Sequence, residues 1–278
     1  ILAFSDRGRV YWLKVYEVPQ GSRGSRGRPM VNMWPLADGE KITVVLAVKT
    51  FDDAHYVFMA TSLGTVKKTP LTDFANRRTA GIIAVDLDDG DHLIGVAITD
   101  GRHDVMLFAD SGKAVRFDEN DVRSMGRGAR GVRGMNLEPG QQVIALLVAP
   151  NEDENRASQS VLTATENGYG KRTPIGEYTR HGRGTKGMIA ISTSERNGKV
   201  VAATLVDVKD EIMLITTGGV LIRTRVSEIR EMGRATQGVT LISVDQGTRL
   251  VGLQRVVETD DSEELPVGDD NASTDEPA

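Results

Sequence analysis

The residue types that most often carry catalysis or hold metals are sparse in this sequence. The chain has no Cys, which excludes thiol nucleophiles, thiolate metal sites and disulfides together. Its histidines are scattered without the spacing of metal ligands, at His55, His92, His103 and His181. The sequence also lacks the Gly-rich loop that cradles nucleotide phosphates. We therefore predict no metal, no cofactor and no bound ATP in this chain.

Two short segments match catalytic or metal-binding motifs only in part. The run Asp86–Asp91 is as acidic as a calcium loop, but Ala97 stands where such a loop has Glu. Tyr178 and Arg180 supply two parts of a phosphodiester-cleaving site, yet carboxylates to hold its metal are missing. We interpret the first segment as a tight turn and the second as an exposed loop. The chain is predicted not to be an enzyme by itself.

Basic residues, in contrast, recur with a regular spacing. Five windows contain 24 of the 34 Lys and Arg but only 8 of the 39 Asp and Glu, namely residues 8–29, 64–83, 112–133, 168–189 and 219–240. Short Arg/Gly runs stand inside them, such as Gly21–Arg28 and Gly126–Gly134. Gly permits close backbone approach, and Arg offers a planar fork to phosphate oxygens. This pattern predicts a polyanion as the ligand, although the net charge of the whole chain is −5.

The windows follow an internal repeat of about fifty residues. A first Gly follows an apolar run at positions 8, 64, 112, 168 and 219, and a second Gly follows at 27, 81, 131, 187 and 238. The apolar runs, such as Val105–Phe108, Val161–Ala164 and Ile212–Ile215, are typical of strands. We predict an all-β, propeller-like disc of five repeats with four short strands each, at roughly 1–55, 56–103, 104–159, 160–210 and 211–257.

The later part of each repeat is predicted to hold two more strands. Examples are Ile82–Leu87 followed by His92–Ile98, and Met188–Ile191 followed by Val200–Val206. Between the hairpin and these strands, Pro70–Asn76 and its counterparts could form one helical turn. No run shows the three-to-four spacing of apolar residues that helical repeats require.

Equivalent residues of a radial repeat occupy equivalent places, so the bases should form a band around the rim. Such a band suits duplex DNA, which carries about one charge per 1.7 Å of its axis. Aromatic residues make up only 5% of the chain, which argues against base stacking on single strands. No recognition helix or zinc finger is evident. We predict largely sequence-independent phosphate contacts with a bent duplex.

Residues 258–278 differ from the rest because they contain nine acids and no base. They also contain Pro and Gly and almost no apolar residue, so we predict a disordered tail that competes with DNA for the rim. A merely solubilising tail is the alternative.

Four segments resemble the C-terminal domain of the bacterial DNA gyrase A subunit, which is related to topoisomerase IV. They are Gly64–Phe74, Val105–Phe108, Asn167–Thr173 and Thr224–Ile229, and the similarity extends over residues 1 to about 257. The resemblance implies a β-pinwheel, in which neighbouring blades exchange a strand. It also implies that the rim wraps duplex DNA and presents a crossover for strand passage, so that gyrase introduces negative supercoils.

The resemblance further implies partners and a location. The partners are the gyrase B subunit and the rest of the gyrase A subunit, in an A2B2 holoenzyme of the bacterial cytoplasm and nucleoid whose other parts use ATP and Mg. The family's intact basic box, Gln-Arg-Arg-Gly-Gly-Lys/Arg-Gly, is absent, and Gln20–Gly27 and Arg127–Gly131 are degenerate equivalents. We expect the leading part of the first blade to be missing, and the fragment to be monomeric.

Twenty of the 24 bases in the windows are the candidate DNA-binding residues. They are Arg9, Arg23, Arg26, Arg28, Lys67, Lys68, Arg77, Arg78, Lys113, Arg116, Arg127, Arg130, Arg133, Lys171, Arg172, Arg183, Lys186, Arg223, Arg225 and Arg234. Two other classes of protein stay open at this point. One is the C-terminal domain of topoisomerase IV, and the other is a propeller scaffold that binds an acidic protein partner.

Overall fold

The computed structural model describes residues 1–21, 26–150 and 159–256, so the acidic tail predicted at 258–278 lies outside the described residues. Within the described ranges the chain forms five antiparallel sheets and several short 3-10 turns, with no α-helix. The predicted all-β fold is confirmed. The predicted helical turn after Pro70 is also present, as a 3-10 turn at Leu71–Phe74.

The first three sheets have four strands each and are described from the inner edge outward. The first contains β3 (Ile42–Leu46), β1 (Leu2–Ser5), β2 (Arg9–Trp12) and β6 (Ile82–Ile83). The second contains β7 (Leu93–Thr99), β4 (Tyr56–Thr61), β5 (Thr65–Pro70) and β10 (Val132–Arg133). The third contains β11 (Val143–Pro150), β8 (His103–Ala109), β9 (Lys113–Asp118) and β14 (Met188–Ile189).

The fourth sheet has the same strand order, and the fifth has one strand fewer. The fourth contains β15 (Val200–Val206), β12 (Ser160–Thr165), β13 (Tyr169–Pro174) and β18 (Val239–Thr240). The fifth contains β19 (Leu250–Val256), β16 (Glu211–Thr216) and β17 (Leu221–Arg225). The inner strands β3, β7, β11, β15 and β19 contact one another in that sequence, which gives the radial arrangement of blades.

Consecutive blades exchange a strand. The outer strands β6, β10, β14 and β18 are two residues long, and each belongs to the repeat that follows the blade it completes. For example, Val132 and Arg133 of the third repeat pair with Val66 and Thr65 of the second blade. The exchange implied by the family resemblance is therefore present. The strands predicted at Ile82–Leu87 and Met188–Ile191 are shorter than expected because only their first residues pair.

The two Gly positions of the repeat make this exchange possible. Gly131 has a φ of +107°, and a Cβ atom on it would lie 2.5 Å from the carbonyl oxygen of Val66. Gly112 has a φ of +84°, and a Cβ atom there would lie 2.3 Å from the carbonyl oxygen of Ile191. Any side chain would collide with the backbone of the exchanged partner, and both φ values are in the region that L-residues avoid.

The hydrophobic core lies between neighbouring sheets. Phe58, Leu107 and Phe117 pack between the second and third blades, and Phe108 and Tyr178 meet edge to face between the third and fourth. Each blade is a single sheet, so each of its faces becomes buried only when a neighbouring blade covers that face. Stability and radial order consequently depend on the same contacts.

The first repeat and the last blade depart from the predicted four strands each. In the first repeat Met30–Asn32 forms a 3-10 turn and Trp34 packs on Tyr11 and Leu13 of its own blade, so its described residues contribute three strands. In the last blade no exchanged strand pairs with the outer edge of β17 among the described residues. Among the described residues, the exchange therefore joins four consecutive pairs of blades.

Candidate nucleic-acid interface

The predicted basic residues lie on the outer part of each blade. The strand next to the outer edge (β2, β5, β9, β13 or β17) carries bases, and a short 3-10 turn follows it. An Arg/Gly loop then leads into the exchanged strand of the preceding blade. Since the inner strands meet near the axis, these strands and loops lie at the periphery.

Half of the predicted residues have exposed side chains. They are Arg26, Arg28, Arg77, Arg78, Arg130, Arg133, Arg183, Lys186, Arg223 and Arg225. A second group is partly buried: Arg9, Lys113, Arg127, Arg172 and Arg234. Arg23 lies outside the described residues.

Four predicted residues lie inside the protein instead. Lys67, Lys68, Arg116 and Lys171 are between 0% and 4% exposed. Their charged groups are fully engaged by the protein, so they are not accessible to a phosphate in this structure. The prediction of a surface position was wrong for them, because the exchanged strand and loop of the next repeat cover their strand.

Two of the buried lysines support the Arg/Gly loop of the next repeat. The Nζ of Lys67 donates hydrogen bonds to the carbonyl oxygens of Ala84, at 2.8 Å, and of Arg127. The Nζ of Lys171 donates to the carbonyl oxygens of Gly233 and Arg234, the latter at 2.5 Å. Burial removes water from both ammonium groups and lowers the pKa of Lys67 and of Lys171 to about 8.

The next position along the strand holds the 3-10 turn of the following repeat. Lys68 donates to the carbonyl oxygen of Glu119 at 3.2 Å, and Arg116 donates to those of Ile175 and Tyr178 at 3.0 Å. Arg172 makes the same contact with Ile229 at 2.7 Å, and Trp12 uses its indole N–H on Phe74 at 2.9 Å. We call the contact between one blade and the repeat that covers its outer strand a joint. Each of these four consecutive joints uses a side-chain donor at the same strand position, whatever the residue type.

Several exposed bases pair with acids of the preceding repeat. Arg130 contacts Asp86 at 3.2 Å and Asp88 at 3.0 Å. Lys186 contacts Glu138 at 2.8 Å, and this pairing raises the pKa of the lysine. Exposed pairs of this kind contribute about 0–1 kcal/mol and weaken with salt. An incoming anion can therefore replace the carboxylate at little cost.

Alignment on the second Gly reveals a signal that the window counts missed. Four residues before that Gly, every repeat has Arg, at Arg23, Arg77, Arg127, Arg183 and Arg234. Arg183 extends back over the preceding repeat, where it donates to the carbonyl oxygens of Asp121 and Arg133 at 2.9 and 3.0 Å. Lys14, Arg123, Arg180 and Arg230 are also exposed in the same windows and were not predicted as site residues.

The segments considered for catalysis differ in part from expectation. Tyr178 was predicted in an exposed loop, but it is 1% exposed and burial raises its pKa. The acidic run at Asp86–Asp91 ends in a turn, in which Asp91 accepts hydrogen bonds from the Ser62 hydroxyl and the Leu63 N–H, at 2.8 and 2.9 Å.

One histidine is less isolated than its spacing in the sequence indicates. The Nδ1 of His103 lies 2.9 Å from Asp100 and 3.3 Å from Glu119. The three side chains are close enough to share an ion. The ammonium group of Lys68 stands 3.6 Å from the second oxygen of Glu119, however, and already balances that buried carboxylate. The arrangement is accounted for by ion pairing.

Radial blades, exchanged outer strands and a basic periphery together define a five-bladed β-propeller of the pinwheel class. Five segments of the chain match a family described as "DNA gyrase C-terminal domain, beta-propeller", at residues 1–49, 55–100, 103–150, 159–207 and 210–256. The chain belongs to this family. The resemblance found in the sequence is thereby confirmed.

Individual relatives agree with this assignment. The chain is 54% identical over 265 residues to the DNA gyrase A subunit of Salmonella typhimurium, and the match covers 95% of this chain and 30% of the relative. It therefore spans about a third or less of the curated relatives it matches. No helical segment in the described ranges is long and apolar enough to cross a membrane.

Two solved structures have the same fold. The first is a gyrase A C-terminal domain, with a TM-score of 0.78 and 26% identity over 92% of this chain and 82% of that chain. The second is the C-terminal domain of a DNA topoisomerase IV, with a TM-score of 0.84 and 24% identity over 92% of this chain and 78% of that chain. The second comparison supports the fold alone.

Proposed function

We propose that this domain binds duplex DNA along its periphery and bends it around the disc without strong sequence preference. The observation that carries the proposal is the recurrence of arginines at one position of consecutive repeats, where each Arg/Gly loop enters the exchanged outer strand. Arg77 and Arg183 are exposed at this position, and Arg127 and Arg234 are partly exposed. A curved row of cations matches the regular spacing of phosphates along a duplex.

Phosphate contact rather than base readout fits the chemistry of this surface. The Arg/Gly loops offer guanidinium groups and accessible backbone, which suit phosphate oxygens. No helix that could enter a major groove is present in the described part of the chain. Affinity should therefore come from charge, and sequence should act mainly through the ease of bending.

The proposed contact residues are the exposed and partly exposed bases only. Lys67, Lys68, Arg116 and Lys171 are left out because their charges serve inside the protein. Lys14, Arg123, Arg180 and Arg230 are added because they are exposed in the same windows. The carboxylates that pair with Arg130 and Lys186 would be exchanged for phosphate on binding.

For the whole protein we propose the role that its relatives' name indicates. The domain would wrap DNA and present a crossover to the catalytic parts of a gyrase, so that strand passage introduces negative supercoils. It would be non-catalytic itself, with ATP and Mg used elsewhere. Its partners would be duplex DNA, the gyrase B subunit and the rest of the gyrase A subunit, within the bacterial cytoplasm.

The test is the salt dependence of binding to duplexes of unrelated sequence. Replacing Arg127, Arg130 and Arg133 with Ala should weaken binding to all duplexes alike. It should also make the negative slope of log K against log salt shallower by about 2–3. A matched control removes three arginines outside the windows, Arg102, Arg196 and Arg249. Equal slopes for the two triple variants would contradict the peripheral site.

Wrapping needs a second measurement, because adhesion alone gives the same salt dependence. Circular DNA relaxed by a topoisomerase in the presence of the protein should retain writhe when the duplex is wrapped. Binding without retained writhe would reduce the proposal to adhesion. Capture of an acidic polypeptide without DNA binding at moderate salt would favour the scaffold instead.

We further propose that the acidic tail, residues 258–278, competes with DNA for the bases of the rim. Nine tethered acids reach a high effective concentration near a basic surface. Truncation after Val257 should therefore tighten DNA binding at low salt and have less effect at high salt, as measured in the same titration. Unchanged affinity at every salt concentration would leave the tail as a spacer.

A further inference from the structure

The two buried lysines that contact Arg/Gly loops occupy one structural position. Lys67 and Lys171 are the third residues of β5 and β13, and they are 1% and 0% exposed. Each sends its ammonium group outward beneath the next repeat, where it binds backbone carbonyl oxygens. For Lys67 the loop carbonyl belongs to Arg127, and for Lys171 the carbonyls belong to Gly233 and Arg234.

The loop over Lys67 contains a backbone hydrogen bond from the Ala129 N–H to the Gly126 carbonyl oxygen, at 3.1 Å, and its Gly126 and Gly128 have open space where a Cβ would stand. The loop over Lys171 is also held by the Arg234 N–H, which donates to the Glu177 carboxylate at 3.1 Å. A charged donor on the carbonyl of Arg127 fixes the peptide plane on its C-terminal side and thereby the direction of its side chain. Charge-assisted hydrogen bonds of this kind are roughly twice as strong as neutral ones.

The third blade provides a natural comparison, because Val115 stands at this position in β9. There the next loop is held from above by its own arginine. The guanidinium of Arg183 binds the carbonyl oxygens of Asp121 and Arg133, and the N–H of Gly184 donates to Gly134 at 2.6 Å. Arg127, in contrast, makes no side-chain hydrogen bond or ion pair with any described residue. Over Lys67 the loop arginine is therefore available for a ligand, whereas over Lys171 the side chain of Arg234 also donates to the carbonyl oxygen of Ile189 at 3.2 Å.

We propose that Lys67 and Lys171 are positioning residues, which aim the arginines of the covering loops at DNA while never touching it. This inference rests on the function proposed above. It assigns to two of the predicted contact residues a role that acts through Arg127 and Arg234. With a pKa of about 8, both lysines remain mostly protonated at neutral pH and so act as charged donors.

A thermodynamic cycle separates positioning from a general effect. Lys67→Met should weaken binding to a duplex about fivefold, whereas in an Arg127→Ala background the same change should have no further effect. Lys209→Met, which removes one exposed charge in a loop outside the windows, controls for net charge. Binding is measured where circular dichroism reports each variant folded. Equal losses from Lys67→Met in the two backgrounds would overturn the proposal.

A second readout needs no DNA. Amide hydrogen exchange in residues 126–131 should become more than about tenfold faster in Lys67→Met, while residues 182–187, which lie over Val115, should stay unchanged. Unaltered exchange at 126–131 would contradict the inference even if DNA binding failed altogether. If Lys67→Met does not fold, Lys171→Met with Arg234→Ala gives the equivalent cycle, and additive losses there would also overturn the proposal.

Discussion

The strands β13 and β17 occupy the same place in the fourth and fifth blades but have opposite surroundings. Lys171, Arg172 and Thr173 of β13 lie under the turn and loop of the next repeat, and Lys171 and Thr173 are fully buried. In β17 the side chains of Leu221, Ile222 and Arg223 are exposed. The same contrast extends to the Gly before each strand. A Cβ on Gly168 would lie 2.2 Å from a backbone oxygen, whereas Gly219 has nothing within 4 Å.

Burial of these cations is thus a property of the joint between two repeats and not of the single blade. The hairpins of the two blades are alike, with matching registers between their first two strands. Only the arrival of the next repeat turns the outer strand into an interior one. A base at this position is consequently a structural donor where a neighbour covers it, and a surface charge where none does.

We expect the largest effect on stability when the same base is replaced in a strand that the next repeat covers and in the exposed strand β17. Arg116 is 2% exposed and holds Asp104 as well as two carbonyl oxygens of the next repeat. Arg116→Met would leave these groups without that donor and should lower the free energy of unfolding by about 3 kcal/mol. Arg223→Met, at the same strand position of β17, should cost less than about 1 kcal/mol.

Urea denaturation of both variants measures this contrast. Arg223 is exposed and pairs with Glu211 of its own blade, so water can solvate the carboxylate that its replacement releases. Equal losses in the free energy of unfolding for the two variants would contradict this contrast. They would mean that the covering repeat does not increase the contribution of the buried contacts to stability.

The sequence predicted the repeat, the β fold and the periphery, because these follow from patterns that every copy shares. Both Gly positions have a positive φ in every repeat, and where a neighbouring repeat covers them a backbone collision also forbids a side chain, as at Gly112. What could not be predicted is which bases face water. Lys67 and Arg77 belong to the same window, yet one is buried and the other exposed. Their difference arises from a neighbouring repeat whose position no local pattern encodes.

Part of the site was missed for a related reason. Windows that count charge treat Lys171 and Lys186 alike, although one donates to carbonyl oxygens inside and the other pairs with an exposed carboxylate. Alignment on both Gly positions would have separated the two kinds of base, since the first Gly places Lys67 and Lys171 in one column and the second Gly places Arg183 and Arg234 in another. The position of a base relative to the joint indicates whether it is buried or exposed, and a count of charges does not.

A smaller effect should appear in the pH dependence of stability. Burial lowers the pKa of Lys171 to about 8 in the folded chain, from an ordinary value of 10.5 that the unfolded chain retains. Between pH 8 and 10.5 the unfolded state therefore holds a proton on this lysine that the folded state has lost. In that window the contribution of Lys171 to the free energy of unfolding rises with pH, and below pH 8 it is constant.

The difference between the wild type and Lys171→Met isolates this contribution, because other titrating groups cancel. Plotted against pH, the difference in free energy of unfolding should climb from pH 8 to 10.5. Ile222→Lys places a lysine at the equivalent position of β17, where water reaches it. Its difference from the wild type should stay level over the same window, since an exposed ammonium group titrates alike in both states. A level curve for Lys171, or a climbing one for Ile222→Lys, would show that the covering repeat does not set the environment of this position.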